Sequence, residues 1–328
     1  FIQDGSRFRN ESMTESSSKS QPSRWDVIMK TFLAGGVAGC CAKTTVAPFD
    51  RVKILLQAHN RHYKHLGIFS TVTAVIQREG LPGLFKGNSA QLVRIFPYAA
   101  IQFTSYEQYK QMLRQQFGQS QLSKLAAGSF AGMTAVILTY PLDIIRARLA
   151  FQVAGEDVYT GISHAFKVIF TEEGGIRGLY RGIVPTMMGM APYAGLSFYS
   201  FEVLKKFFLD YFPDMFGKPS QTHPGKVVLI VPAKLLCGAM AGAMAQTVSY
   251  PLDVARRKMQ LAMMLPESQH YGTWYTTLRF VLREHGIQKG LYRGLSVNYI
   301  KVTPMIAVSF SVYEMMKQVL ELDTSSDR

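Results

Sequence analysis

The sequence predicts an all-α membrane protein with six transmembrane helices in three pseudo-symmetric repeats, each repeat carrying a short amphipathic helix between its two long ones. Three observations predict it. The hexapeptides Pro48-Phe49-Asp50-Arg51-Val52-Lys53, Pro141-Leu142-Asp143-Ile144-Ile145-Arg146 and Pro251-Leu252-Asp253-Val254-Ala255-Arg256 share the pattern Pro-x-Asp-x-x-basic and recur about a hundred residues apart, the period of an internal repeat. Glycines stand nine and thirteen residues before each proline: Gly39 and Gly35, Gly132 and Gly128, Gly242 and Gly238. Landmarks then follow in one order. These are Glu79-Gly80, Glu173-Gly174 and His285-Gly286; Phe85-Lys86-Gly87, Tyr180-Arg181-Gly182 and Tyr292-Arg293-Gly294; Pro97, Pro192 and Pro304; and an aromatic-Glu-x-x-Lys motif at Glu107–Lys110, Glu202–Lys205 and Glu314–Lys317.

Taken in chain order, residues 1–24 are polar and Ser-rich and read as a disordered tail; they contain no apolar stretch of the kind a secretory signal needs. Repeat 1 covers 25–117, repeat 2 covers 118–210, a Pro- and Gly-containing linker covers 211–230, repeat 3 covers 231–320, and 321–328 form a polar tail. The first long helix of each repeat is expected at 25–57, 121–153 and 232–261, the second at 88–115, 184–209 and 295–320. Apolar residues at helical spacing, ending at glycine, predict the short helices at 68–79, 162–172 and 274–284. Glycines four apart predict close helix approach, as in membrane bundles.

The composition fits this reading. The chain has 328 residues, 48% of them hydrophobic, and a formal net charge of +14, with a mean hydropathy of +0.05. A charge at mid-bilayer costs about 2.5–3.5 kcal/mol, so polar residues on membrane helices must face the bundle interior or water. Six amphipathic helices around an aqueous cavity meet that demand and score below the usual hydropathy threshold. Three cysteines exclude a disulfide framework; Cys40, Cys41 and Cys237 are expected to pack between helices. No nucleophile–base pair, metal-ligand spacing or Gly-rich phosphate loop points to an enzyme, a cofactor or a metal. His59, His62 and His65 read as a solvated loop. The basic excess implies an anionic partner, but no basic stripe or recognisable module points to nucleic acid.

These motifs resemble those of the mitochondrial carrier family over nearly the whole chain, from about residue 25 to 320. The resemblance implies residence in the mitochondrial inner membrane as a multi-pass protein, cytosolic termini, short helices on the matrix side, a functional monomer, and alternating access of one central site. It implies a matrix gate of Asp50–Arg146, Asp143–Arg256 and Asp253–Lys53, with Gln57 and Gln260 as braces and Ala150 where a third would stand. It implies a cytosolic gate of Glu107–Lys205, Glu202–Lys317 and Glu314–Lys110. Proline late in a long helix kinks it, which lets three such helices converge at one end.

Departures from symmetry mark the substrate site. Three residues before the prolines of the second helices stand Arg94, Gly189 and Lys301, the substrate contact positions the resemblance implies. Two cations and one small residue suit an elongated anion; Arg offers a bidentate fork and Lys a point charge. Gly189, Met190 and Tyr193 resemble an adenine pocket, with Ser249 lining it. Lys43 and Arg257 match further phosphate positions, and Gln102 a polar one. If six gate cations meet six gate carboxylates, Lys43, Arg94, Arg257 and Lys301 are left unpaired for a ligand. The stretches 40–48, 189–195 and 256–260 are similar to the coenzyme A carriers of the family. The implied substrate is coenzyme A or a related adenine nucleotide: dephospho-coenzyme A, ADP or adenosine 3′,5′-diphosphate. Another phosphorylated nucleotide-like anion, such as ATP-Mg exchanged for phosphate, and a non-transporting membrane scaffold stay open as alternatives. Cardiolipin is an implied lipid partner at the helix starts near Gly87, Gly182 and Gly294.

Overall fold

The structure, a computed structural model, describes residues 24–63, 65–118, 120–155, 158–219 and 227–320. Both expected tails lie outside the described residues. Six long helices carry the fold: α1 (Arg24–Gln57), α3 (Asn88–Phe117), α4 (Gln121–Phe151), α7 (Ile183–Tyr211), α9 (Val231–Gln260) and α11 (Leu295–Val319). Between them lie α2 (Ile68–Gly83), α5 (Ile162–Glu172), α6 (Ile176–Leu179), α8 (Pro213–Phe216) and α10 (Trp274–Gly286). A helix of 30 residues runs about 45 Å, enough to cross a hydrocarbon core of about 30 Å.

Local chemistry sets the helix limits. α4 opens on a reciprocal cap, with Ser120 Oγ accepting from the Ser123 amide and Ser123 Oγ from the Ser120 amide; Thr273 and Thr276 do the same for α10. Gly80, where α2 breaks before its last turn, and Gly174 and Gly286, at the ends of α5 and α10, take positive φ of 73°, 84° and 71°, where a side chain would be strained. Gly87, Gly182 and Gly294 start the second helices, also at positive φ, and press against the preceding helix of the next repeat. A Cβ on Gly87 would meet Arg146 O at 2.9 Å, one on Gly182 would meet Arg256 O at 3.0 Å, and one on Gly294 would meet Gln57 Cγ at 3.6 Å as well as Tyr250 Oη of its own repeat at 3.1 Å.

The six long helices close into a ring. α1 packs on α3, α3 on α4, α4 on α7, α7 on α9, and α11 returns to α1. The largest apolar cluster lies at the end where the proline-kinked helices converge. There Ile54, Leu55, Ala147, Phe151 and Leu261 pack with Tyr63, Val75 and Tyr271. Large apolar side chains remain exposed along the long helices, including Leu138, Val248 and Phe310, as lipid-facing surface requires. By length and hydropathy, candidate spans are found at Asp26–Gln57, Leu122–Phe151 and Trp274–Val319, the last running through α10 and α11 together; α3, α7 and α9 are 29 or 30 residues long.

The segment expected as a linker at 211–230 holds α8 and a short antiparallel pair, β1 (Gly217–Pro219) with β2 (Val227–Leu229), and Leu229 packs with Ala233 and Cys237 against α7. Three expectations are corrected. A Cβ on Gly35, Gly128, Gly238 or Gly242 would meet nothing within 4 Å. Those glycines are not at a close helix contact, whereas a Cβ on Gly39 would lie 3.6 Å from Ile95 and one on Gly132 3.3 Å from Met190. Cys237 is buried as expected, but Cys41 is exposed. His59 is not a solvated residue: it takes a left-handed φ of 56° and its ring lies 4.0 Å from that of His285.

Candidate functional site

The three hexapeptides bring their charges together where the kinked helices converge. Arg146 Nη2 donates to Asp50 Oδ2 at 2.6 Å, and Arg256 Nη2 donates to Asp143 Oδ2. Gln260 Nε2 also reaches Asp143 Oδ2, at 2.8 Å, and its Oε1 accepts from Arg257. One end of the ring is thus crossed by two interhelical ion pairs, with one glutamine bridging a pair to its neighbour.

The third seam differs. Asp253 and Lys53 form no ion pair. Asp253 Oδ2 instead accepts from Gln246 at 2.8 Å, and Lys53 Nζ lies 5.6 Å from the centre of the Tyr250 ring. Gln57, the expected brace here, leaves its Nε2 buried without a partner. Gln246 stands five residues before Pro251, as Lys43 stands five before Pro48, so an amide in repeat 3 takes the carboxylate that a lysine would otherwise contest.

At the opposite end the expected interhelical pairs are absent among the described residues. Each lysine pairs within its own helix: Lys110 with Glu107 at 3.4 Å, Lys205 with Glu202 at 3.3 Å and Lys317 with Glu314 at 3.2 Å. All three glutamates are about half exposed. Helices held together at one end splay at the other, and i,i+3 pairing is what remains within reach.

Arg94 and Lys301 are not spare cations. Arg94 Nη1 donates to Asp143 Oδ1 at 2.6 Å and its Nε to Thr139 Oγ1 at 3.3 Å; Lys301 Nζ donates to Asp50 Oδ1 at 2.7 Å. Asp143 and Asp50 therefore each hold one arginine of the converging motifs and one cation of the expected substrate site. The division of charge expected from the sequence is corrected accordingly. Arg94 and Lys301 are compensated, while among the described residues Lys43 Nζ donates a hydrogen bond only to Met305 Sδ, at 3.5 Å, and the Arg257 side chain only to the Gln260 amide oxygen.

Three of the five residues expected at or near an adenine pocket come together. Gln102, Met190 and Tyr193 line one cavity of about 320 Å³ with Tyr98 and Gly132. A Cβ on Gly132 would meet Met190 Cε at 3.3 Å, so the absence of a side chain there makes room for the methionine. Gly189 faces Leu252 instead, and the Ser249 hydroxyl is buried without a partner. Sequence reasoning missed Tyr98, whose ring lies 5.3 Å from the Arg94 guanidinium, a cation–π distance. It also missed Thr139. Both were within reach of the repeat: Tyr98 follows Pro97 as Tyr193 follows Pro192, and Thr139 precedes Pro141 by two as Ser249 precedes Pro251.

A ring of six membrane-length helices, crossed by ion pairs at one end over a cationic interior, defines a membrane transporter. The family model for "Mitochondrial carrier protein" matches residues 24–117, 118–212 and 229–324. The chain belongs to the mitochondrial carrier family. It is 58% identical over 296 residues to solute carrier family 25 member 16 of Bos taurus, covering 90% of each chain. It is 40% identical to mitochondrial carrier protein CoAc1 of Arabidopsis thaliana, covering 90% of this chain and 91% of that one. It is 38% identical to the mitochondrial coenzyme A transporter SLC25A42 of Xenopus tropicalis, covering 90% of this chain and 86% of that one.

Proposed function

We propose that this carrier moves coenzyme A or a related adenine nucleotide across the mitochondrial inner membrane by alternating-access exchange. The observation that carries the reading is the sharing of Asp143 and Asp50 between the converging motifs and the expected site. Substrate phosphates drawing Arg94 off Asp143 and Lys301 off Asp50 would remove one of two cations from each buried carboxylate. Binding would then loosen the matrix gate that the same carboxylates close. The adenine end is assigned to the cavity at Gln102, Met190 and Tyr193, where a flat ring finds apolar and aromatic surface. Lys43, near Met305, and Arg257, beside the gate, are assigned to further phosphate oxygens. The relative from Xenopus tropicalis, named a mitochondrial coenzyme A transporter, supports the substrate class.

Asp50, Arg146, Asp143, Arg256, Lys53 and Asp253 are assigned to the matrix gate, and Glu107, Lys110, Glu202, Lys205, Glu314 and Lys317 to the cytosolic one. The structure then corresponds to a cytosol-open state. The chain works as a monomer without covalent chemistry. Cardiolipin phosphates are assigned to the starts of α3, α7 and α11, after Gly87, Gly182 and Gly294, where the helix dipole favours an anion.

Reconstituted exchange tests the reading. Liposomes loaded with ADP should take up labelled coenzyme A, and Arg94→Ala should cut uptake roughly 10–100-fold, the loss of one charge-assisted hydrogen bond. Uptake unchanged by that substitution, or absent for every adenine-bearing anion while another solute is exchanged, overturns it.

A further inference from the structure

The matrix end carries a related joint three times: its cation stands three residues after the proline in repeat 1 (Arg51) and seven after it in repeats 2 and 3 (Arg148, Lys258), and its carboxylate is replaced in the third. Glu79, Glu173 and His285 directly precede the positive-φ glycines Gly80, Gly174 and Gly286. Each sits under a glycine of the following turn: a Cβ on Gly83, Gly178 or Gly290 would lie 2.6 Å from Glu79 Cβ, 3.1 Å from Glu173 Cβ or 3.0 Å from His285 Cβ. The three positions are structural equivalents.

In two of the joints the carboxylate holds a buried cation that ties one repeat to the next. Glu79 takes Arg51 at 2.8 Å, and Arg51 also donates to Ala150 O and Gln152 O of repeat 2. Glu173 takes Arg148, and Arg148 also donates to Gln260 O of repeat 3. The third joint keeps the cation. Lys258 stands seven residues after Pro251, as Arg148 stands seven after Pro141, and Lys258 Nζ donates to Ala58 O of repeat 1 at 3.0 Å. The carboxylate is gone, because His285 stands in its place.

What surrounds that position is basic. A cavity of about 730 Å³ is lined by Lys258, His285, His59, Arg61 and His62, with Glu267 as the carboxylate. Glu267 is engaged by the Tyr271 hydroxyl at 2.9 Å. His285 Nδ1 is buried with no hydrogen-bond partner. A buried unpartnered ring nitrogen beside a buried lysine is a costly arrangement. An oxyanion in the cavity would relieve it by accepting from the lysine and the imidazole.

We propose that this cavity is a second site, apart from the transport site, for a phosphate-type oxyanion that supplies the charge Glu79 and Glu173 supply at the other joints. The oxyanion is a free phosphate or a phosphoryl group of a soluble matrix metabolite, or else a lipid headgroup phosphate. The site neither requires nor follows from the substrate assignment above. The test is the melting temperature of the purified full chain in detergent, titrated with inorganic phosphate against sodium chloride of matched ionic strength. Wild type should rise by about 2–4 °C with phosphate. His285→Glu, which restores the internal carboxylate, should melt higher without phosphate and lose the rise. Arg61→Gln, at an exposed rim position, should weaken phosphate several-fold without altering the basal melt. Arg94→Ala should leave the rise intact. The same comparison in phosphatidylcholine vesicles with and without cardiolipin identifies the source: a His285-dependent rise that needs cardiolipin and not phosphate supports the site with a headgroup as occupant. A rise matched by chloride, retained in both His285→Glu and Arg61→Gln, or lost in Arg94→Ala overturns the proposal.

Discussion

Arg94 and Asp143 lie 2.6 Å apart, joining a cation of the proposed transport site on α3 to a carboxylate of the converging motif on α4. Asp143 is buried and also holds Arg256 and Gln260. Removing one of two cations should therefore weaken the site without stranding the charge. Arg94→Ala is expected to cost about 1–2 kcal/mol, below the 3–5 kcal/mol of a buried pair broken outright. The measurement is the melting temperature without substrate, together with the rise that coenzyme A produces. The first should fall modestly, and the second should vanish.

The three seams at the matrix end are unequal, and so should be their sensitivity to neutralised carboxylates. Asp50 and Asp143 each accept from two cations, whereas Asp253 accepts from the Gln246 amide. Asp143→Asn should cost about 3–5 kcal/mol and Asp253→Asn under about 1 kcal/mol. Parallel thermal melts of the two variants decide it; equal losses would show that Lys53 and Asp253 are coupled in solution.

Much of this was readable because the chain repeats. Pro48, Pro141 and Pro251 place three equivalent helices, and the same register relates Tyr98 to Tyr193 and Thr139 to Ser249. The partner of Arg94 was not readable. Residues 94 and 143 lie on different helices, and the motif suggested a carboxylate already satisfied by Arg256; that Asp143 has room for two cations depends on the packing of α3 against α4. The pairing of Glu107, Glu202 and Glu314 was not readable either. A sequence that permits both within-helix and between-helix pairs does not choose a conformation. Gly217 and Pro219 read as linker because three-residue strands are too short to show alternation.

The glutamates at the cytosolic end make a prediction that separates stability from transport. Exposed i,i+3 pairs are worth about 0.3–0.5 kcal/mol, so Glu202→Gln should scarcely move the melting temperature of this conformation. Transport should fall if Glu202 must reach Lys317 for the opposite state to close. Paired cysteines at positions 202 and 317, in a background lacking Cys40, Cys41 and Cys237, should crosslink under oxidation and block exchange until reduced. Crosslinking that leaves exchange untouched would remove this triad from the gate.

His59 gives a pH dependence whose sign can be worked out. Burial, then the neighbouring Lys258 and His285, push its pKa down to about 3, with Arg293 acting in the same direction and the bond to Lys289 O opposing. Its ring nitrogens lie 3.2 Å from Gln57 O and 3.0 Å from Lys289 O, and the neutral ring can donate to one of them. Unfolded, the same imidazole titrates near 6.5, so between 6.5 and 3 the unfolded chain binds the extra proton. The contribution of His59 to stability is therefore complete above about pH 6.5 and lost as the pH falls towards 3. Melting curves at about pH 7.5 and 5.5 should show wild type losing stability on acidification. His59→Asn, which tolerates the left-handed backbone at this position, should lose less. An identical drop in both would place the acid sensitivity elsewhere, with His285, whose pKa is also lowered by burial, as the next residue to substitute.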